Sequence, residues 1–88
     1  MLPSKRRSRI ELIREILVEA LEAQSKTRIM YRCNMNLQCF NRYMNELLDH
    51  GLLVKVRHQS KNGFLYKTSE KGKQLLKALD EIAKLLPG

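Results

Sequence analysis

Residues 34–51, NMNLQCFNRYMNELLDHG, decide how this chain is read. Leu37, Phe40, Met44, Leu47 and Leu48 recur at the spacing of one helix face, while Gln38, Cys39, Arg42, Asn45 and Glu46 point the other way. Asn36 supplies a side-chain oxygen for an N-cap, and Gly51 offers the left-handed residue that stops a helix. The segment is therefore expected to be a capped helix over residues 37–50 with a narrow buried stripe and an amide-rich exposed face. Amide and guanidinium groups can bond base edges in pairs, so such a face could enter a DNA major groove. A solvated helix surface has the same composition, and the flanking residues have to decide between the two.

Immediately upstream, Ser25 can cap a second helix from about Lys26 to Cys33, with Ile29 and Met30 facing inward. Asn34 suits the left-handed position that ends it, which leaves only Met35 and Asn36 as a connection. Two helices joined by about three residues form a helix-turn-helix. Lys26, Thr27 and Arg28 lie in the first turn, where free backbone N–H groups favour a phosphate. Downstream, LLVKVRHQ alternates apolar and polar residues, with Leu52, Val54 and Val56 on one face, and FLYKT reads as a partner strand. Asn62-Gly63 lies between them, and both residue types tolerate positive φ, so residues 52–68 read as a β-hairpin. Lys55, Arg57, His58, Lys61 and Lys67 make this hairpin basic, with no acidic residue on it.

The outer elements complete the outline. Residues 1–7, MLPSKRR, read as a flexible basic arm whose Lys5, Arg6 and Arg7 could follow phosphates. Ser8 and Glu11 form the S-x-x-E pattern of a capping box, and Ile10, Ile13, Ile16, Leu17, Ala20 and Leu21 predict a first helix from Arg9 to about Ala23. Its polar face carries Glu11, Glu15, Glu19 and Glu22, which turns it away from any phosphate backbone. Ser69 caps a last helix, Glu70 to Leu86, closed by Pro87-Gly88. Leu75, Leu79, Ile82 and Leu86 repeat along it with Ala83 alongside. From about Leu79 onward that stripe has no evident internal partner, so Leu79, Ile82, Ala83 and Leu86 are expected to meet a second copy of the chain. Folding back over the first helix is the alternative.

Eighty-eight residues suffice for one modest core. The chain is expected to divide into the arm, a unit over residues 8–69 and a dimerisation helix over 70–88. The net charge of +8 is segregated. Residues 23–45 hold Lys26, Arg28, Arg32 and Arg42 and no acid, and residues 50–69 hold Lys55, Arg57, Lys61 and Lys67 and no acid. A polyanion is the natural partner of such segments. Cys33 and Cys39 have no second Cys or His pair to complete a zinc site and are expected to be structural or incidental. No nucleophile–base constellation, glycine-rich phosphate loop, signal peptide or membrane span is recognisable. The expectation is a non-enzymatic protein without cofactor, metal, membrane or small-molecule ligand, working in the cytoplasm on the nucleoid.

Three stretches, SKTRIMY (25–31), FNRYMNELLDHGLL (40–53) and FLYKTSEKGKQLL (64–76), resemble the archaeal ArnR-like winged helix-turn-helix proteins, a family of transcriptional regulators. They are also similar to small archaeal winged-helix DNA-binding proteins that dimerise through a C-terminal coiled coil, some of them chromatin-associated. The resemblance spans residues 8 to about 86. It implies a mainly α fold with a small β-hairpin, a winged helix-turn-helix that binds double-stranded DNA as a homodimer. The family usually places an aliphatic residue where Thr68 stands, which suggests looser packing at the wing base. The last helix is shorter than in the coiled-coil members, which favours a compact dimer interface. On this reading Asn36, Gln38, Cys39, Arg42 and Asn45 approach bases, with Asn41 rated lower at the edge of the buried stripe. Lys26, Thr27, Arg28, Arg32, Arg57, His58, Lys61 and Asn62 hold the backbone or the adjacent minor groove. Glu46 and Asp49 would repel phosphates, so the N-terminal half of the helix inserts. A non-specific architectural protein would use the same surfaces, and a winged-helix protein-interaction module would turn them to another protein. RNA lacks an aromatic stacking platform here.

Overall fold

Each helix in this chain starts at a residue whose side chain closes its first turn. In a computed structural model, which describes residues 7–86, Ser8, Ser25, Asn36 and Ser69 are the four N-caps. They open α1 (Arg9–Glu19), α2 (Lys26–Cys33), α3 (Leu37–Asp49) and α4 (Glu70–Leu85). Ser8 and Glu11 make the reciprocal capping box. The two inner helices end alike. Asn34 at φ 53° and Gly51 at φ 72° take the left-handed position. Met35 N–H then bonds Met30 O, and Leu52 N–H bonds Leu47 O, which closes both ends with the same six-residue loop.

The hairpin pairs β1 (Leu53–Arg57) with β2 (Phe64–Thr68) in antiparallel register, Leu53 opposite Thr68 and Arg57 opposite Phe64. Gln24 exchanges backbone hydrogen bonds with Tyr66, a one-residue third strand that no local sequence signal announces. That bridge explains why α1 stops at Glu19 and not near Ala23. The Ala20 carbonyl accepts from Thr68 N–H and the Glu19 carbonyl from the Gln24 side chain, so the chain is diverted towards the sheet. The Asn-Gly pair does not form a two-residue turn. Residues 58–63 form a longer connection, closed by His58 N–H to Gly63 O at 3.1 Å, and of the two only Gly63 has positive φ.

Ile16, Leu17, Ile29, Phe40, Met44 and Leu47 are fully buried and form the centre of the core, roofed by Leu53 and Leu76. Three apolar expectations are corrected. Leu37 is 60% exposed, because the first turn of α3 projects beyond the core. Val54 lies outward, because the hairpin leaves the core after Leu53, whose face is the buried one. Ile10 in the first turn of α1 and Leu21, just past its C-cap Ala20, are also exposed. Tyr43, outside the predicted stripe, is buried and carries the Arg9 guanidinium 5.6 Å from its ring centre.

Thr68 tightens the wing base, contrary to the expectation of looser packing. It is 2% exposed, its hydroxyl donates to Leu17 O at 2.6 Å and its N–H to Ala20 O at 2.8 Å. Gly72 beside it is a packing requirement. A Cβ there would lie 2.4 Å from Leu52 O and 2.6 Å from the Thr68 methyl. Ser69 adds to this junction, donating its hydroxyl to Gly51 O and its N–H to Leu52 O.

Candidate nucleic-acid interface

The start of α2 lies between the start of α3 and the hairpin loop. On one side, Ser25 and Arg28 share a groove of about 540 Å³ with His58, Lys61, Asn62 and Gly63. On the other, Lys26 and Thr27 line a smaller pocket of about 140 Å³ with Met30, Leu37, Phe40 and Asn41. Phosphate-directed residues that the sequence places in two segments thus flank one helix start. The Ser25 hydroxyl caps the Arg28 N–H at 3.2 Å, leaving the other first-turn N–H groups of α2 towards solvent.

Charge pairing separates this side from α1. The ion pairs among the described residues are Arg7–Glu15, Arg9–Glu46 at 2.8 Å, Arg14–Asp80 at 2.7 Å and Lys73–Glu70 at 3.2 Å. Their cations come from residue 7, α1 and α4. Lys26, Arg28, Arg32, Arg42, Arg57 and Lys61 take part in none of them. The Arg9 hydrogen bond holds the Glu46 carboxyl below its ordinary range, and the carboxylate in turn raises the Arg9 guanidinium. Glu46 is therefore a neutralised corner of α3, tied to the start of α1.

Gln38, Arg42 and Asn45 are exposed along one stripe of α3. Asn36 is exposed, but its Oδ1 accepts the Cys39 N–H at 2.8 Å, so only its amide N–H groups remain for a ligand. Cys39 is half-buried on the opposite flank, towards Glu46. Arg32 is exposed at the far end of α2, where it lines a groove with Arg14, Glu15, Val18 and Glu19 of α1, apart from the hairpin. Arg57, Lys61 and Asn62 are exposed, and His58 Nδ1 accepts the Ser60 N–H at 3.2 Å, leaving Nε2 for a partner. The basic arm falls on residues outside the described ones except for Arg7, which is corrected. Arg7 pairs with Glu15 and donates to Cys33 O and Asn34 O, so its guanidinium is committed to the end of α2.

Burial, with the Glu15 and Glu19 carboxylates adding to it, pushes the Cys33 thiol up to about 11. It stays protonated at neutral pH, a small apolar side chain in the core. Among the described residues no cluster of His, Cys, Asp or Glu could hold a metal, and no helix is long and apolar enough to cross a membrane.

A helix-turn-helix followed by an antiparallel hairpin matches the winged helix-turn-helix family over residues 6–86. The chain belongs to that family. Two uncharacterized proteins of Methanocaldococcus jannaschii are each 34% identical to it, over 86 and 82 residues. The matches take in 97% and 92% of this chain but 38% and 78% of those proteins, so it spans well under half of the first relative's length. Among solved structures, Sso10a-2, a DNA-binding protein from Sulfolobus solfataricus, is similar with a TM-score of 0.75 and 25% identity, covering 90% of this chain and 81% of that one. In the vocabulary of winged helices, α3 is the recognition helix and the hairpin is the wing. Leu37 and Asn41, both in the N-terminal half of α3, are exposed and half-exposed and lie outside the predicted base-facing set. Leu37 fits the apolar period and so reads as core, and Asn41 stands at the edge of that period. Both line the small pocket at the Lys26-Thr27 start of α2.

Proposed function

We propose that the chain binds double-stranded DNA, with the N-terminal half of α3 in the major groove and the wing on the neighbouring backbone or minor groove, as a transcriptional regulator. The observation that carries this reading is the division of charge. The cations on α2, on the exposed face of α3 and at Arg57 and Lys61 have no carboxylate partner, whereas those at residue 7 and along α1 are neutralised. A polyanion replaces the missing partners and releases its counterions. The similarity to Sso10a-2, described as DNA-binding, supports the same partner. Gln38, Arg42 and Asn45 are the base-facing residues of this proposal, and Lys26, Thr27, Arg28, Arg57, Lys61 and Asn62 its backbone contacts.

The proposed unit is a homodimer. Ile82 and Leu86 are 52% and 64% exposed, Ala83 is exposed and Leu79 half-buried, so the stripe expected to meet a second copy is open in the single chain. Leu85, 82% exposed, adds to it. Residues 8–69 then carry the DNA surface, and α4 from about Leu79 the dimer contact.

DNA selection from a random pool at two salt concentrations tests the reading. An enriched, two-fold symmetric motif, with affinity falling by about 0.9 in log–log slope per phosphate contact, is the expected result. Binding without enrichment would leave an architectural protein, and no retention of DNA at low salt would refute the proposal.

A further inference from the structure

Three basic side chains line the groove between the start of α2 and the wing loop: Arg28, Lys61 and His58. Arginine and lysine are charged at neutral pH whatever surrounds them on a surface, whereas histidine is the residue type whose charge changes between about pH 5 and 8. Every other residue that lines the groove is uncharged, so no carboxylate from α2, the loop or β2 shares it with the imidazole. Outside it, Arg57 precedes His58 at the end of β1, and Lys55 is turned onto the Phe64 ring, 5.0 Å from its centre.

The hydrogen bonds of the loop define which protonation state this arrangement suits. Ser60 N–H donates to His58 Nδ1 at 3.2 Å, so Nδ1 carries no proton and the ring is the neutral Nε2–H tautomer. Ser60 Oγ lies 3.4 Å from the same nitrogen. An imidazolium has hydrogens on both ring nitrogens and cannot accept from the Ser60 N–H, but its Nδ1–H can donate to the Ser60 hydroxyl oxygen. The loop thus holds an acceptor for the charged ring beside the donor that serves the neutral one. The backbone closure, His58 N–H to Gly63 O at 3.1 Å, does not involve the ring and fits either state.

Resting on the DNA-binding reading above, we propose that a backbone phosphate in this groove draws a proton onto His58, so that the wing's hold on DNA is proton-linked. The phosphate takes Arg28, Lys61 and the His58 Nε2–H as its donors. A solvent proton adds at Nδ1, the Ser60 N–H is released, and Nδ1–H donates to Ser60 Oγ. Only hydrogen bonds are exchanged, and one proton is gained per wing. The third positive charge has a counter-charge in the groove only when the phosphate is there. A hydrogen bond from the charged ring to a phosphate is also roughly twice as strong as one from the neutral ring. Since the bound chain holds more protons than the free one, affinity rises as pH falls, and binding at constant pH takes protons up.

The full chain is titrated into one duplex at constant low ionic strength across the histidine range. Affinity should rise severalfold from about pH 8 to about pH 6, and by no more than about tenfold per pH unit for one proton per wing. Calorimetry in two buffers of different ionisation enthalpy should show the matching proton uptake. His58→Gln, whose side chain hydrogen-bonds but cannot charge, should lose both the slope and the uptake. His50→Gln, at the end of α3 and away from the groove, should keep both. Ser60→Ala retains the N–H that suits the neutral ring and removes the oxygen that suits the charged one, so its uptake should shrink. Circular dichroism verifies that each variant folds. A flat wild-type profile, or a slope that survives in His58→Gln, overturns the inference while leaving DNA binding intact, and full uptake in Ser60→Ala overturns the exchange of partners. Failure of the wild-type chain to bind the duplex anywhere in this range at low salt overturns the parent reading along with it.

Discussion

The two sides of this small domain treat charge in opposite ways. Around α1 the cations are spent internally: Arg9 ties α1 to α3 through Glu46, Arg14 ties it to α4 through Asp80, and Arg7 joins Glu15 to the end of α2. Around α2 and the wing no such pairing exists among the described residues, and Arg28, Lys61, Arg57 and Arg42 face solvent. The C-terminal half of α4 is intermediate, since Lys77 and Lys84 are unpaired but alternate with Asp80 and Glu81. The net charge of +8 is therefore less informative than its pairing, because a cation with a carboxylate partner has little left for a phosphate.

The sharpest way to break this comparison is to remove cations from one side at a time. Replacing Lys26, Arg28 and Lys61 together by Ala should weaken DNA affinity the most and flatten the log–log salt slope by about 0.9 for every phosphate that is no longer neutralised. Replacing Arg9, Arg14 and Lys73 together should leave that slope unchanged. Equal slopes for the two triple variants, measured by fluorescence anisotropy across a salt series, would erase the distinction. A single change refines it next. Arg42→Ala should cost roughly 1–3 kcal/mol on a selected site and relax preference at one base pair. If it weakens binding to every sequence equally, Arg42 is a phosphate contact and the stripe on α3 must be redrawn.

Legibility in the sequence differs between the same regions. The helix-turn-helix is nearly complete there because its signals are local. Ser25, Asn34, Asn36 and Gly51 act within a few residues of themselves, and all four occupy the positions their chemistry suggests. What could not be read depends on contacts across the chain. The early end of α1 follows from the Gln24–Tyr66 bridge, and the importance of Thr68 follows from Leu17 and Ala20. Periodicity also fails at element ends. Leu37 and Ile10 fit an apolar period but stand in the first turns of their helices, and Leu21 falls past the end of α1. On the candidate site, residue types and segment charge pick out a surface rich in unpaired cations, but which flank of α3 is open depends on where Arg9 lands.

Gly72 belongs with those long-range requirements. Gly72→Ala should destabilise the fold by about 1–3 kcal/mol, because the new methyl meets the Leu52 carbonyl and the Thr68 methyl. Denaturant unfolding measures this, and a neutral or stabilising result would mean that α4 can shift away from the wing base. The smallest expected effect concerns acid. Glu46 is held below its ordinary carboxylate range in the folded chain, so the stabilisation from its pair with Arg9 is present above the unfolded value near 4.5 and fades as pH falls through the lowered one. Arg9→Ala should flatten that part of the acid limb of stability while leaving neutral-pH DNA binding unchanged. An unaltered acid limb would show the pair to be inert.

The missing side chain at Gly72 also has a mechanical consequence. It lets α4 rest directly on the backbone entering the wing, while Ser69 bonds both Gly51 and Leu52. Helix and hairpin are pinned at a shared root, so neither can swing without the other. In the proposed dimer the pair of α4 helices becomes the pivot of a caliper whose jaws are the two wings. A few degrees of change in how the helices cross is passed to the jaws without slack, and it sets the half-site spacing that the dimer can span.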